Sequence, residues 1–470
     1  MTENELMQYT IGKLASLFQA RALSPVEVTQ ALLARIDRLD KRVNAFITVL
    51  AEQALEAARD AEAAIMRGDY RGPLHGIPFA VKDIFATQGV RTTCASKVWP
   101  DRIFPVDATV IERLQQAGAV LLGKLNMHEF AMGATSTSSH YGPVRNPWDL
   151  ERVPGGSSGG SAAAIAATLA LGTLGTDTGG SVRIPASLCG IVGLKPTYGR
   201  VSRHGVVTLS WSLDHVGPMT RTVEDAALML QVMAGKDPQD PTTSSLPVPD
   251  YRAALEEDLR GITLGIPTDS FFTEVDAEVE SAVSDAVQLL QGLGAAVEAI
   301  SLPHIELAHP VGTIISSTEA YTYHEPFLQR QVQDYQPDVR DRLLIGASLL
   351  ASDYVRAQQY RNLFRREVSQ VMRRVDAIVT PTTPIPAPKI GEKTVTIRGK
   401  EEEVLKILSR LTRPWNLTGQ PVISLPCGFT QSGLPIGLQI VGKAFAETTI
   451  LRIAHAYERH TPWHEQRPAL

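Results

Sequence analysis

Two glycine-rich loops bracketing an uncharged run do most to limit what this chain can fold into. The first is Gly155-Gly156-Ser157-Ser158-Gly159-Gly160-Ser161, the second runs from Gly175 to Arg183, and no charged residue stands in the 22 positions from Gly155 to Thr176. Glycine reaches backbone conformations closed to other residues and bares its N–H, and successive N–H groups at a helix start or in a nest attract negative charge. A flexible Gly/Ser linker is the plainest reading. It fits poorly, because apolar helix-forming sequence follows at once and Ser181 in the second loop comes 24 positions after Ser157. A phosphate cradle would need G-x-x-x-x-G-K-[ST], which is missing. The apolar part, Ala162 to Leu171, falls short of the ~20 residues of a membrane span and suits a buried helix. Gly156 to Gly160 formally matches G-x-S-x-G with Ser158 as nucleophile, yet such an elbow must follow a buried strand. Here Asn146 to Pro154 precedes it, polar and proline-broken. What remains is a pair of loops, each with a serine, able to supply a nucleophile and donors for a developing oxyanion.

The surrounding texture alternates strands and helices. Residues 11–67 carry helical periodicity, with Ser24-Pro25 as a helix start. Ile77 to Val81 reads as a strand, Val110 to Ala117 as a helix and Ala119 to Leu122 as a strand. Ile262 to Ile266, a helix over Val275 to Leu293, and Ala296 to Ile300 form a further unit. Late strands follow at Ala377 to Thr380 and Val422 to Leu425. Lys236 to Tyr251 reads as a long surface connection. The expected fold is α/β: a mixed, mostly twisted central β-sheet covered by helices on both faces. One domain is expected over 1–470, with a helical region 1–70, a catalytic core 71–235 and 405–470, and a variable substrate-pocket region 250–400.

Composition narrows the setting. Against 50 acidic side chains stand 45 Lys+Arg, a net charge of −5 without a basic run, which argues against nucleic-acid or anionic-membrane partners. Three cysteines, Cys94, Cys189 and Cys427, are too widely spaced for a disulfide framework or zinc ribbon. The acidic start Met1-Thr2-Glu3 lacks the order of a signal peptide. The expectation is a cytoplasmic protein.

The motifs Gly76-Ile77-Pro78-Phe79-Ala80-Val81-Lys82-Asp83, Gly123 to Phe130, the two loops through Lys195-Pro196-Thr197, Asp214 to Met219 and Asn416-Leu417-Thr418-Gly419 together resemble the amidase signature family. The resemblance implies a Ser–cisSer–Lys triad on Ser181, Ser157 and Lys82. It also implies a cis peptide bond before Ser157, an oxyanion hole from the N–H groups of Thr178, Gly179, Gly180 and Ser181, and an acyl pocket lined by Ala131, Met132 and Gly133. The chemistry is coherent. A serine needs an adjacent base, neither loop holds a histidine, and a lysine serves as base only if burial lowers its pKa from ~10.4. Lowering it by roughly 3 units costs about 4 kcal/mol, which the end of a buried strand can impose.

Asp177 and Arg183 read as a structural pair bracing the nucleophile loop, and Ser158 and Ser161 as helix-start hydrogen-bonding residues. His128-Glu129 fails as H-E-x-x-H because position 132 is Met132, so no metal and no cofactor are expected. Lys82 beside Asp83 could alternatively be a plain ion pair. Tyr321, Tyr323, Tyr354 and Trp415 are candidate pocket walls.

The expected function is a stand-alone amidase. It would hydrolyse an alkyl or aryl amide, or a related ester, carbamate or urea-type compound, through an acyl-enzyme. The alternative is the glutamine-hydrolysing A subunit of a tRNA-dependent amidotransferase. That branch usually has an acid seven positions before the Asn-Leu-x-Gly motif, where this chain has Ser409, and a tyrosine-rich helix where this chain has Ser352 to Ala357. The expected partner is therefore a small-molecule amide, with no nucleic acid and no membrane, and a homodimer allowed.

Overall fold

The computed structural model describes residues 3–470. Of the N-terminal segment read as lacking a signal peptide, Met1 and Thr2 lie outside the described residues. Strands β1 (Phe46–Val49), β2 (Pro78–Lys82), β3 (Val120–Leu125), β4 (Gly172–Asp177), β5 (Val192–Lys195), β6 (His215–Thr220), β7 (Thr263–Pro267), β8 (Ala296–Ile300) and β9 (Ala377–Pro381) are followed by a two-stranded ribbon of β10 (Thr394–Ile397) and β11 (Lys400–Glu403). The chain ends its sheet with β12 (Val422–Phe429) and β13 (Pro435–Gly442). Eleven strands join in the order β1-β3-β2-β4-β6-β5-β12-β13-β9-β7-β8. The sheet is mixed. β2 runs parallel to β3 and β4, and β7 to β8 and β9, whereas β4–β6, β5–β12 and β12–β13 are antiparallel.

The central strands are buried along their whole length, as a sheet covered on both faces requires. Helices Gly159–Ala166 and Arg183–Cys189 pack on one another and on the sheet; Val223–Met233, Ala277–Gly292 and Glu447–Arg459 form a second contiguous layer. Among the described residues no helix is long and apolar enough to cross a membrane. Helix Pro25–Val43 starts as its sequence dictates: Ser24 Oγ accepts from the N–H groups of Val26 and Glu27, with Pro25 in the first turn.

Two features depart from the sequence reading. The N-terminal region is not purely helical, since β1 interrupts it and pairs with β3. β4, sequence Gly-Thr-Leu-Gly-Thr-Asp, gives no strand signal because glycine is a poor strand former. Its glycines serve close approach: a Cβ on Gly175 would stand 2.8 Å from Ser158 Oγ, and one on Gly172 2.4 Å from Met229 Sδ.

The helix Gly159–Ala166 is wholly buried and uses only small residues and one isoleucine. A Cβ on Gly160 would meet the carbonyl oxygens of Asn126 at 2.3 Å and Ala45 at 2.6 Å, both main-chain atoms that cannot rotate aside. Gly160→Ala is therefore expected to lower stability by about 1–3 kcal/mol despite alanine's better helix propensity, read as a shift in urea midpoint at unchanged m.

Candidate active site

Lys82 closes β2, so the strand aims its side chain into the space between the two glycine-rich loops. The side chain is fully buried. Its Nζ lies 2.7 Å from Ser157 Oγ and 2.8 Å from Thr176 Oγ1, and no carboxylate is within salt-bridge reach among the described residues. The neighbouring Asp83 faces the other side of the strand and pairs with buried Lys124 at 3.3 Å, so the plain Lys82–Asp83 ion pair does not form. Burial pulls Lys82 down to about 7, against the opposing pull of Asp214, Cys94 and Asp177.

The first loop carries a cis peptide bond between Gly156 and Ser157. The carbonyl of Ser157 accepts from His128 N–H at 3.1 Å and Ser136 Oγ at 3.2 Å, and Ser136 Oγ also accepts from Gly159 N–H at 3.1 Å. Ser136 thus satisfies the start of helix Gly159–Ala166 from outside the local sequence. Ser158 and Ser161 do not cap that helix. Ser158 Oγ bonds the main chain of Thr176 and Ser161 Oγ donates to Leu174 C=O at 3.0 Å, fastening the helix to β4.

The two loops meet where Ser158 N–H donates to Ser181 C=O at 3.2 Å. The second loop folds around the Asp177 carboxylate. This group accepts from the N–H of Gly180 at 2.9 Å and Val182 at 3.2 Å, and from Arg183 through Nε at 3.0 Å and Nη2 at 2.9 Å. Asn416 Nδ2 adds a bond at 2.8 Å, while Arg183 Nη1 reaches Thr412 C=O and Gln439 Oε1. Burial pushes the Asp177 carboxyl up, but the Arg183 guanidinium, with Lys195 and Asn416, outweighs this and holds it well below the usual carboxylate range. Thr178 Oγ1 donates to Asp214 at 2.5 Å, and burial raises that carboxyl to about 6.

Ser181 opens onto a cavity of about 280 Å³. Thr178, Gly179, Ala131, Met132 and Gly133 form one wall. The rest of the lining includes His309, Thr313, Ser316 and Arg342, which fall in the segment from about 304 to 364 expected to add helical pocket walls, and Ser409 and Arg413, of which sequence reasoning misses Arg413. Tyr321, Tyr323, Tyr354 and Trp415 do not line it. Tyr354 donates to Glu319 at 2.8 Å, Tyr323 packs edge-on to His324, and Trp415 is buried against Phe272. The three cysteines are buried free thiols. Among the described residues no group of three or more His, Cys, Asp or Glu side chains is placed to hold a metal ion.

A mixed sheet that brings a buried lysine to one serine, and a second serine to the mouth of an acyl-sized cavity, places the chain in a class. It belongs to the Amidase family, which matches residues 27–451. Among its relatives, the A subunit of glutamyl-tRNA(Gln) amidotransferase from Moorella thermoacetica is 46% identical over 99% of both chains. The protein of the same name from Roseiflexus sp. is 47% identical over 99% of both. The solved A subunit of the amidotransferase from Thermotoga maritima superposes at TM-score 0.82, with 38% identity over 98% of this chain and 97% of that one. A structure described as revealing the evolutionary origins of an s-triazine catabolic enzyme superposes at TM-score 0.93, with 35% identity over 98% and 100%.

These relatives correct two expectations. The stand-alone amidase gives way, because relatives 46–47% identical over the whole chain are named as subunits of an amidotransferase. The expected partner set, a small-molecule amide with no nucleic acid, falls with it, because that name places a tRNA in those proteins' reaction. The absence of a basic run misleads: net charge describes one chain, whereas nucleic acid can be gripped by another subunit of an assembly.

Proposed function

We propose that this chain is the glutamine-hydrolysing A subunit of a tRNA-dependent amidotransferase, releasing ammonia for use by a partner. The whole-length identity to A subunits carries the assignment, and the 2.7 Å contact of buried Lys82 with Ser157 carries the chemistry. Lys82 as a neutral amine donates to Thr176 Oγ1 and accepts from Ser157 O–H. Ser181 Oγ attacks the amide carbon as its proton passes to Ser157 Oγ and the Ser157 proton passes to Nζ. The N–H groups of Thr178, Gly179 and Ser181 receive the oxyanion; Gly180, expected among them, has its N–H taken by the Asp177 carboxylate at 2.9 Å. The C–N bond breaks as nitrogen takes the proton back by the same route, leaving as ammonia. Water, deprotonated likewise, then releases the acid from the acyl-enzyme. Asp177, Arg183 and Ser158 hold the loops in place, and the acyl chain lies against Ala131, Met132 and Gly133.

The test is glutamine-dependent amidation of glutamyl-tRNA(Gln), with ammonia release measured for the chain alone and with the remaining subunits. Amidation only in the assembled complex is the expected result; failure to amidate in any assembly refutes the assignment. The pH profile tests the base. Since Lys82 works only unprotonated, kcat/KM should rise about tenfold per unit at acidic pH and level off near or above 7. A flat profile from pH 5 to 8 would exclude it.

A further inference from the structure

From Ala351 to Val375 the chain holds six arginines against Asp353 and Glu367, and no basic run is visible because helical spacing spreads them out. Along the helix Ala351–Val371 and the turn that ends it, Arg366, Ser369 and Arg373 recur at three- and four-residue steps and so share one face. That face, with Arg365, Thr418, Gln420 and Lys443, lines a groove of about 940 Å³. The groove is separate from the hydrolytic site, for it shares no lining residue with the cavity in front of Ser181. Its frame is fixed by Arg361 of the same helix, which donates from Nε to Leu417 C=O at 2.8 Å and from Nη2 to Ser212 C=O at 2.9 Å. The helix is thereby tied to Pro414–Thr418, the short helix whose Asn416 holds the Asp177 carboxylate.

The charge in this groove is unopposed. Arg365, Arg366 and Arg373 are exposed and make no ion pair among the described residues, and no carboxylate lines the groove. Lys443 is paired, with Asp376 at 3.1 Å, while Glu367 is turned to His304 at 3.2 Å and Arg374 is taken by Glu298. Three free guanidinium groups present forked donors to any oxyanion that enters. Asn362, Ser369, Thr418 and Gln420 complete the lining with neutral groups of the kind that join arginine on phosphate oxygens. No aromatic side chain lines the groove and its one methionine, Met372, is buried, so the apolar anchors that hold a protein partner are missing.

We infer that this groove binds the phosphodiester backbone of an RNA. The side chains select phosphate; that the phosphate belongs to RNA rests on the reading above, in which a tRNA takes part.

The experiment titrates labelled, deacylated tRNA into the full chain between about 50 and 200 mM salt. Three neutralised phosphates give log K a slope of about −2.7 against log[salt], a loss of about 40-fold across that range. The triple variant Arg365→Gln/Arg366→Gln/Arg373→Gln should weaken binding at least tenfold at the lower salt and flatten the slope by about 1 per arginine. Lysine at the same three positions keeps the charge and should retain both affinity and slope. In the assembled enzyme the glutamine variant should raise KM for glutamyl-tRNA(Gln), with kcat/KM for ammonia release from glutamine unchanged. Unaltered affinity and slope in that variant overturn the inference. So does a variant that binds tRNA normally but no longer joins the other subunits, since an acidic protein surface would then fill the groove. The binding measurement needs no turnover. A chain that holds tRNA through these arginines yet supports amidation in no assembly would refute the A-subunit reading and leave the RNA groove standing.

Discussion

Lys82→Met should abolish at least three orders of magnitude of turnover and, in the same molecule, raise stability. The first half follows from removing the base on which the proton route depends, a contribution of about 10²–10⁴-fold, together with the bond that orients Ser157. Alkaline buffer should not restore it. The second half follows from linkage. A lysine at about 7 in the native state, against 10.5 unfolded, means the unfolded chain binds more protons between those values, so stability rises with pH across that window. Below about 7 the penalty is fully present. The shift corresponds to about 5 kcal/mol at most, offset by two lost hydrogen bonds of about 1 kcal/mol each. Urea unfolding at pH 6, 7 and 9 should show the variant more stable by about 1–3 kcal/mol at the two lower values, with the difference closing as pH rises. A variant less stable at pH 6 would mean that Lys82 is not held against its own charge.

Arg183→Leu is expected to cost about 3–5 kcal/mol and to eliminate turnover, because it strands the Asp177 carboxylate in a dry interior. The double variant Asp177→Asn/Arg183→Leu removes both charges and should be less destabilised than Arg183→Leu alone, a non-additivity that only direct coupling produces. It should remain inactive, since asparagine offers one acceptor oxygen where the carboxylate offers two, so the N–H groups of Gly180 and Val182 cannot both stay bonded and the loop loses its arrangement. Equal destabilisation of single and double variants would show that the pair is not what holds the loop.

What the sequence discloses follows from how local each signal is. Ile77 to Val81 announces a buried strand because its apolar residues are contiguous, and Pro78–Lys82 is that strand shifted by one residue. Ser24-Pro25 announces a helix start because capping is a matter of three consecutive residues. The glycine loops stand out because nothing but special backbone geometry needs that composition. Ser136 cannot be found this way, since it caps a helix 23 residues later in the chain. Nor can the place of Arg413 on the cavity wall, which depends on Gly312 and Gly179 arriving beside it from distant segments. Trp415, by contrast, suggests a pocket wall by proximity to Asn416, but its bulk is spent in the core. Ser409 misleads in the opposite direction. One uncharged side chain argues against an assignment that likeness along the rest of the chain supports.

The Asp177–Arg183 hub is fastened by Thr412, Asn416 and Gln439, which lie more than 225 positions further along the chain. On the ribosome, therefore, all three reacting side chains emerge long before the residues that lock their loop into shape. A nascent or truncated polypeptide ending ahead of residue 412 would carry every group of the proposed proton route and still be inert, so hydrolysis cannot begin until Thr412, Asn416 and Gln439 have been made.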